Sequence, residues 1–541
     1  MKRIKIFSLV IVLLTLNACE DQLDIKNPNQ PTPESARTER GIVAFAQGGV
    51  YVNGFWSLKY TDGVPGRFWT GAIGYHELMG DVIGIEAANW FMNQVAMPDQ
   101  VIHDDGEIVL NPASPANQKD LINQVNVNSN QGNNPLFHEW AAMYGMNNAC
   151  NVTLSLVDDV EFLGNADVKK NTIKAWCYFW KGFAYSRIGS MYVAGIINDE
   201  PLTSNGNYVT KEQIIAEAEV NFAKAETLLN GLSAGGEFDD ILGALIPSIC
   251  QVGKGMVLTP AMWIRNINTL RARNILVNTH AADMTPAQWT QILNLTNNGV
   301  GANDYTFTLR SNANGDIMSS TTGNIPAKTF GTTAQGGTYK VSERLIQDFK
   351  LGDQRLANNF AQGTAWLGNA DRGNSFNTRW ALRNGGDGLD GVVVMCDRSD
   401  GAYELYCVGF YEENELMKAE ALINGAGSVD AGLTIIDGIR TLQGAGLAAV
   451  SGTGLTQTEA REELRRERRV VLAFRGFAFY DARRWGVLAG GRTGAVVIKK
   501  NGVISTNATI NYNFFEYWSV PDNELAYNPP AAGSAAVVSE N

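Results

Sequence analysis

Three threonines constrain this chain most. Thr210-x-x-Gln213, Thr285-Pro286-x-Gln288 and Thr456-x-x-Glu459 each set a hydroxyl three residues before an amide or acid. That arrangement satisfies the first free N–H groups of a helix from both directions. Apolar residues at helical spacing follow each of them. Thr32-Pro33 adds an N-cap with proline at the first helical position, where no donor is lost. The same patterning predicts helices near 32–53, 137–158, 171–193, 210–230, 259–281, 285–298, 410–424, 430–442, 457–475 and 476–487. Several are placed to pair as antiparallel hairpins, as in helical repeat proteins. Long irregular stretches separate them, at 54–135, 299–340 and 361–405. Asn123–Asn134 is almost wholly Asn, Gln, Ser and Gly and is expected to be loop. Val392–Met395 and Ala495–Ile504 are expected as short hairpin strands. The fold class is therefore mainly α, a helix-pair scaffold with long loops and a few short β-hairpins.

The N-terminus has the form of an export signal. Lys2, Arg3 and Lys5 precede an apolar run from Ile6 to Leu16, and Ala18 sits just before Cys19. The run has 11 residues, too short for the roughly 20 of a membrane span. Leu16-Asn17-Ala18-Cys19 resembles the lipobox of bacterial lipoproteins, in which the cysteine is acylated. Two or more acyl chains anchor a protein stably. Residues 1–18 are thus expected to be a lipoprotein signal, 19–31 a polar tether with Pro28 and Pro31, and 32–541 one domain with parts at about 32–300 and 301–541. The net charge is −12, and the signal's three cations without an acid leave −15 for the remainder. An acidic body argues against nucleic acid, which calls for a basic footprint. Besides Cys19 there are Cys150, Cys177, Cys250, Cys396 and Cys407, with no Cys-x-x-Cys spacing, so no zinc site is expected. Cys150 and Cys177 fall in apolar helical stretches and read as buried thiols, whereas Cys396 and Cys407 could bridge a hairpin.

The run from Arg465 to Gly486 resembles the ER-x-x-EL-x-FEG-x-R-x-x-DL-x-RWG signature of SusD/RagB nutrient-uptake lipoproteins. Glu467, Arg468, Phe474, Gly476, Asp481, Arg484, Trp485 and Gly486 match, while Val471 and Arg475 stand where the family often carries Glu. Tyr411–Leu422 is similar to the family's Y-x-E-x-x-L-x-x-AEAL helix, and Ile436-x-x-Ile439-Arg440 to its IN-x-IR helix. Trp140-x-x-x-Tyr144 with Asn151, Ser342-x-x-Leu345-Ile346 with Asp353-x-Arg355, and Val520-Pro521-x-x-Glu524-Leu525-x-x-Asn528-Pro529 resemble three further family stretches. The resemblance implies a SusD-like fold with tetratricopeptide-like helix pairs and a loop-rich ligand face. It also implies a lipid-anchored protein of the outer membrane, facing the cell exterior. Such a protein captures an oligosaccharide, in some members a peptide, and delivers it to a SusC-type TonB-dependent transporter. Neither catalysis nor a cofactor is implied.

Read from the residues alone, the same C-terminal motif is structural. Leu464, Val471 and Phe474 are expected on one apolar face. Eight arginines between 461 and 484 are interleaved with Glu459, Glu462, Glu463, Glu467 and Asp481, so intramolecular pairing is expected. Glu462 and Arg466 stand at i,i+4, a pairing worth a few tenths of a kcal/mol.

Binding residues gather on loops carried by a rigid scaffold. Sugar C–H faces pack on flat rings, and neighbouring polar groups fix the hydroxyls. The stretch 51–91 holds that mixture, giving Trp56, Tyr60, Trp69, Tyr75, Asp81, Asn89 and Trp90 as candidate ligand contacts. Trp366, Arg372 and Trp380 are the candidates near 361–383. Trp56, Trp69 and Trp90 are the expected stacking platform. Against these stands ordinary packing, since loop tryptophans often fill a satellite core. A hydrolase is the rival class. Yet His76-Glu77 and His138-Glu139 lack the second histidine of a zinc-protease helix, and Gly-x-Ser-x-Gly is absent. Asn312-x-Asn314-Gly315-Asp316 and Asp387-x-x-Asp390-Gly391 lack the spacing of calcium loops and read as turns. Capture of a peptide stays open beside capture of a glycan.

Overall fold

Local starts grow into the expected helices. In the computed structural model Thr210, Thr285 and Thr456 close complete capping boxes over Lys211–Asn230, Pro286–Asn297 and Gln457–Val471. The structure describes residues 35–540 except 56–57, 60–64, 67, 86–88, 96, 113, 311–338, 368–376, 384, 386–394, 396, 398–401 and 489. The signal, Cys19, the tether, Thr32-Pro33, Val392–Val394, Cys396 and both calcium-like turns lie outside those residues. Thr38 caps the first long helix, Glu39–Val50, with its hydroxyl accepting from the Gly41 N–H. Phe137–Leu156, Ala166–Met191, Pro260–Val277, Tyr411–Ala421, Val429–Leu442 and Ala478–Arg484 complete the expected set. Each long helix packs on the next along the chain: 137–156 on 166–191, 166–191 on 211–230, 411–421 on 429–442. This is the mainly α helix-pair scaffold that the patterning predicts.

Several elements depart from expectation, among them the helices Ile73–Met79 and Gln118–Val125 within the stretch 54–135, the second of which takes in Asn123–Val125 of the expected loop and starts where the Asn117 side chain caps it. Gly236–Leu245 is a helix without a side-chain cap. Asn128–Asn133 winds into a 3₁₀ turn, although its composition suggests loop alone. There Asn134 bonds Asn126 and Asn523, so the amide-rich stretch ties down the chain's last segment.

The aromatic core explains why the scaffold is rigid. Trp176, Phe179, Trp180, Trp263 and Phe307 meet at ring separations of 5.1 to 6.3 Å, mostly edge to face. Such pairs contribute about 0.5–1.5 kcal/mol each beyond their buried area. A second cluster joins Phe410, Leu416, Ile436, Leu464 and Val471 beneath the C-terminal helices. Phe474 belongs to the first core instead, because the helix stops at Val471 and Phe474 turns left-handed with φ 66°. The expected shared face of Leu464, Val471 and Phe474 is thus divided between two cores.

Antiparallel strands staple distant parts of the sequence. The largest sheet orders Arg492–Ile498, Ile504–Asn511, Gln100–Ile102 and Ile108–Leu110, with Thr509 opposite Ile102. Its first two strands are the expected hairpin, longer at both ends. Ile83–Ile85 pairs with Tyr339–Val341, which packs in turn on Thr378–Leu382. A close backbone approach joins the N-terminal region to the C-terminal motif: a methyl at Gly80 would run into the backbone of Ala478. Gly80→Ala is expected to cost about 1–3 kcal/mol or more, read as a lower urea midpoint at unchanged slope.

Candidate functional site

The C-terminal motif builds a network of buried charge. Asp481 accepts from Arg468 Nε and Nη2 at 3.0 Å and from Arg484 Nε at 2.7 Å, and Arg484 reaches on to Glu420. Glu467 takes Arg355 Nη1 at 2.5 Å and Arg440 Nε at 2.8 Å. Asp353 holds Arg355 from the other side. The signature charges are therefore spent inside the protein, as expected, though Glu467 and Arg484 find partners outside the signature in Arg355, Arg440 and Glu420. Glu462 and Arg466 do pair at 2.8 Å, half exposed. Arg475, at a position where the family often carries Glu, lies 4.8 Å from the Tyr406 ring and 4.9 Å from that of Phe410.

The histidines with adjacent glutamates are internal as well. His76 Nε2 sits 2.9 Å from Glu139, which accepts from Arg187 Nε at 2.6 Å. Burial pushes the His76 ring down, against the pull of Glu139. His76 and Glu139 are 0% and 2% exposed, closed to any substrate.

The candidate ligand contacts separate by depth. Trp69 is buried, stacked on Phe55 at 5.7 Å and edge-on to Phe68 at 4.8 Å. Tyr75 is fully buried between His138 and Trp518, its hydroxyl donating to the Trp90 carbonyl. These two serve the core, because the helix Phe137–Leu156 and the C-terminal segment close over them. Asp81 is buried too, and at φ 60° it accepts from Arg344, Arg492 and Ser342. Burial opposes its ionisation, but Arg344 and Arg492 overcome that and hold the carboxyl well below the usual carboxylate range. Its role is to fix charge inside the protein, and it also lines a cleft described below.

Trp90 and Trp380 keep a face near solvent, since both are half-buried. Trp90 packs 5.0 Å from the His138 ring. Its φ is 56° and that of Phe91 is 59°, a left-handed pair that bulky residues seldom adopt. Such strain persists where surroundings enforce it and clusters at binding sites. Trp380 sits on Thr378–Leu382, anchored next door by Arg379 on Glu343 at 3.0 Å. The strand Tyr339–Val341 pairs with Ile83–Ile85, a few residues before Trp90, and packs on Thr378–Leu382, which carries Trp380. Trp56, Tyr60 and Arg372, with the side chains of Asn89 and Trp366, lie outside the described residues.

Cys150, Cys177, Cys250 and Cys407 are buried thiols outside any disulfide, the first two as expected. No helix among the described residues is long and apolar enough to cross a membrane.

This architecture, a stack of helix pairs with loops and short hairpins on one region, is the SusD-like fold. A SusD-like carbohydrate binding protein from Bacteroides fragilis NCTC 9343 superposes with a TM-score of 0.53 at 15% identity, over 91% of this chain and 99% of its own. One from Bacteroides vulgatus ATCC 8482 gives 0.52 at 13% identity, over 92% and 98%. Surface glycan-binding protein A from Bacteroides fluxus gives 0.50 at 14% identity, over 83% and 89%. At such identities the likeness is one of fold. The SusD family model matches residues 413–531, which contain the buried charge network's Glu420, Arg440, Glu467, Arg468, Asp481 and Arg484. Residues 413–531 are thus similar to the SusD family, and the chain as a whole has the SusD-like fold. No curated protein matches it.

Proposed function

We propose that this protein is a lipid-anchored, non-catalytic nutrient-capture protein of the outer membrane. It binds oligosaccharide on the face of Trp90 and Trp380 and passes it to a SusC-type TonB-dependent transporter. One observation carries the reading: a SusD-like fold spans 91% of the chain and the family model covers its C-terminal scaffold. Two of the neighbours are named carbohydrate binding and a third glycan-binding, which favours sugar over peptide as cargo. The half-buried tryptophans supply flat ring faces, suited to sugar rings.

Calorimetry against panels of glycans and peptides tests the cargo. Among glycans that bind, Trp90→Ala with Trp380→Ala is expected to weaken affinity about tenfold to thirtyfold, from about 1 kcal/mol per ring. Affinity for a peptide alone, or release of cleavage products during the titration, would overturn the reading. Affinity purification from solubilised envelopes is expected to recover a large β-barrel protein, and its repeated absence would remove the transporter from the proposal.

A further inference from the structure

Trp485 stands at the waist of a groove. On one side lies a cleft of about 420 Å³, between the helix Gln457–Val471 and the start of the strand Arg492–Ile498. On the other lies one of about 510 Å³. Glu462, Arg465 and Trp485 wall both, so the two halves adjoin. Each half falls in the range of about 300–1,000 Å³ that small-molecule sites occupy.

The charges in the first half do not cancel. Asp81 is shared by Arg344 and Arg492, Asp348 by Arg465 and Arg469, and Glu462 by Arg465 and Arg466. On the cleft's own walls the four guanidinium groups of Arg465, Arg466, Arg469 and Arg492 meet the three carboxylates, leaving one positive charge in a chain of net charge −12. Among the described residues Arg492 uses only Nη1, at 2.6 Å from Asp81, and Arg466 only Nε. Burial and the nearby Arg469 push the Arg492 guanidinium down despite the pull of Asp81. The Tyr512 hydroxyl, in a side chain 4% exposed on the wall of the same cleft, faces the carboxylate of Asp81 and leaves the free guanidinium nitrogens of Arg492 and Arg466 to other acceptors. In the second half Arg461 bonds the Asn424 amide oxygen at 2.7 Å and meets no carboxylate among the described residues. Guanidinium groups held in a cleft with donors to spare and too few carboxylates are completed by an added anion. Trp485 is half-buried, with the Arg484 guanidinium 4.7 Å from its ring. Its indole offers a sugar ring a contact that a bare phosphate or sulfate ion has no means to use.

We propose that this groove binds an acidic saccharide, with carboxylates of uronic acid units on Arg492 and Arg466, further units reaching Arg461, and a ring against Trp485. The inference rests on the glycan-capture reading and adds to it a second site and a ligand class.

Titration of the full chain with oligogalacturonate and with a matched neutral galacto-oligosaccharide tests it. The acidic oligomer is expected to bind at least tenfold tighter than the neutral one, and less tightly as salt rises. Arg466→Glu and Arg461→Glu are each expected to weaken the acidic oligomer tenfold or more at unchanged melting temperature, since both side chains reach solvent. Arg492→Gln is expected to act alike, and the two exposed variants decide the matter if it fails to fold. Equal binding of the two oligomers, or acidic binding untouched by every variant, overturns the groove and leaves capture of neutral glycans standing. Inorganic sulfate or phosphate competing as well as the oligomer overturns saccharide recognition. Binding of neither oligomer also overturns the groove, and capture itself falls only if the whole glycan panel is silent.

Discussion

Asp481→Asn is expected to remove about 3–5 kcal/mol of unfolding free energy, a third or more of the roughly 5–15 kcal/mol that domains possess. The size follows from burial. Arg468 is 1% exposed, its only ion-pair partner among the described residues is Asp481, and its Nη1 already lacks a hydrogen-bond partner. Asparagine keeps the shape and one acceptor but leaves that guanidinium charged in a medium unable to solvate it. Arg484 suffers less because Glu420 still holds it. Burial resists ionisation of Asp481, yet Arg468 and Arg484 prevail and hold its pKa below the usual carboxylate value. The neutral substitute therefore forfeits a charge that the fold stabilises. Glu462→Gln is the control, since Glu462 is about half exposed and such pairs are worth about 0–1 kcal/mol. Urea titrations of the two variants separate the cases. If they lose stability equally, the network is not what holds the C-terminal helices to the rest.

The same comparison shows what the sequence made legible. Helix starts were readable because a capping box is decided within four residues, as at Thr456 and Glu459. Gly236–Leu245 escaped because it starts after Gly235 at φ 97° with no side-chain cap, and packing on Ala166–Met191 and Glu39–Val50 supports it. Charge cancellation along 461–484 was visible in composition, but its partners were not. Asp348 and Glu420 are far away in sequence, and Asp81 reaches Arg344 and Arg492 only after folding. Asp81 therefore looked like a hydroxyl-orienting loop acid. Aromatic density along 51–91 did not rank its members by depth. Trp69 and Trp90 have like sequence surroundings, yet Phe55 and Phe68 close over one while a left-handed turn leaves the other half-buried. The groove beside Trp485 was hidden because its arginines were read as paired with the interleaved acids, and the strand Arg492–Ile498 meets them only after folding.

Stability is expected to fall as pH rises from about 4.5 to 7.5 through one residue, Glu77, and Glu77→Gln is expected to remove that part of the fall. Glu77 is fully buried and accepts from the Phe474 N–H at 2.9 Å and the Gly476 N–H at 2.7 Å. These bonds, and Arg469 nearby, favour the carboxylate, but burial outweighs them and lifts the pKa from 4.5 to about 7. The folded chain then binds a proton that the unfolded chain has released. A carboxyl raised in this way contributes fully below the unfolded value of 4.5, and the contribution is gone once pH passes about 7. At about 1.36 kcal/mol for each pH unit between the two values, the loss approaches roughly 3 kcal/mol. His76 and His103, both pushed down by burial, change stability in the opposite sense over part of this range, so wild type alone does not isolate the effect. The variant does, because only the Glu77 contribution differs. Glutamine costs a constant amount for its poorer bonding to the Phe474 and Gly476 amides, and the gap between the two proteins is expected to shrink steadily from pH 4.5 to 7.5. Denaturant titrations at four or five pH values measure that gap. A constant gap would mean that Glu77 is ionised throughout, and that its two backbone bonds at the left-handed turn outweigh burial.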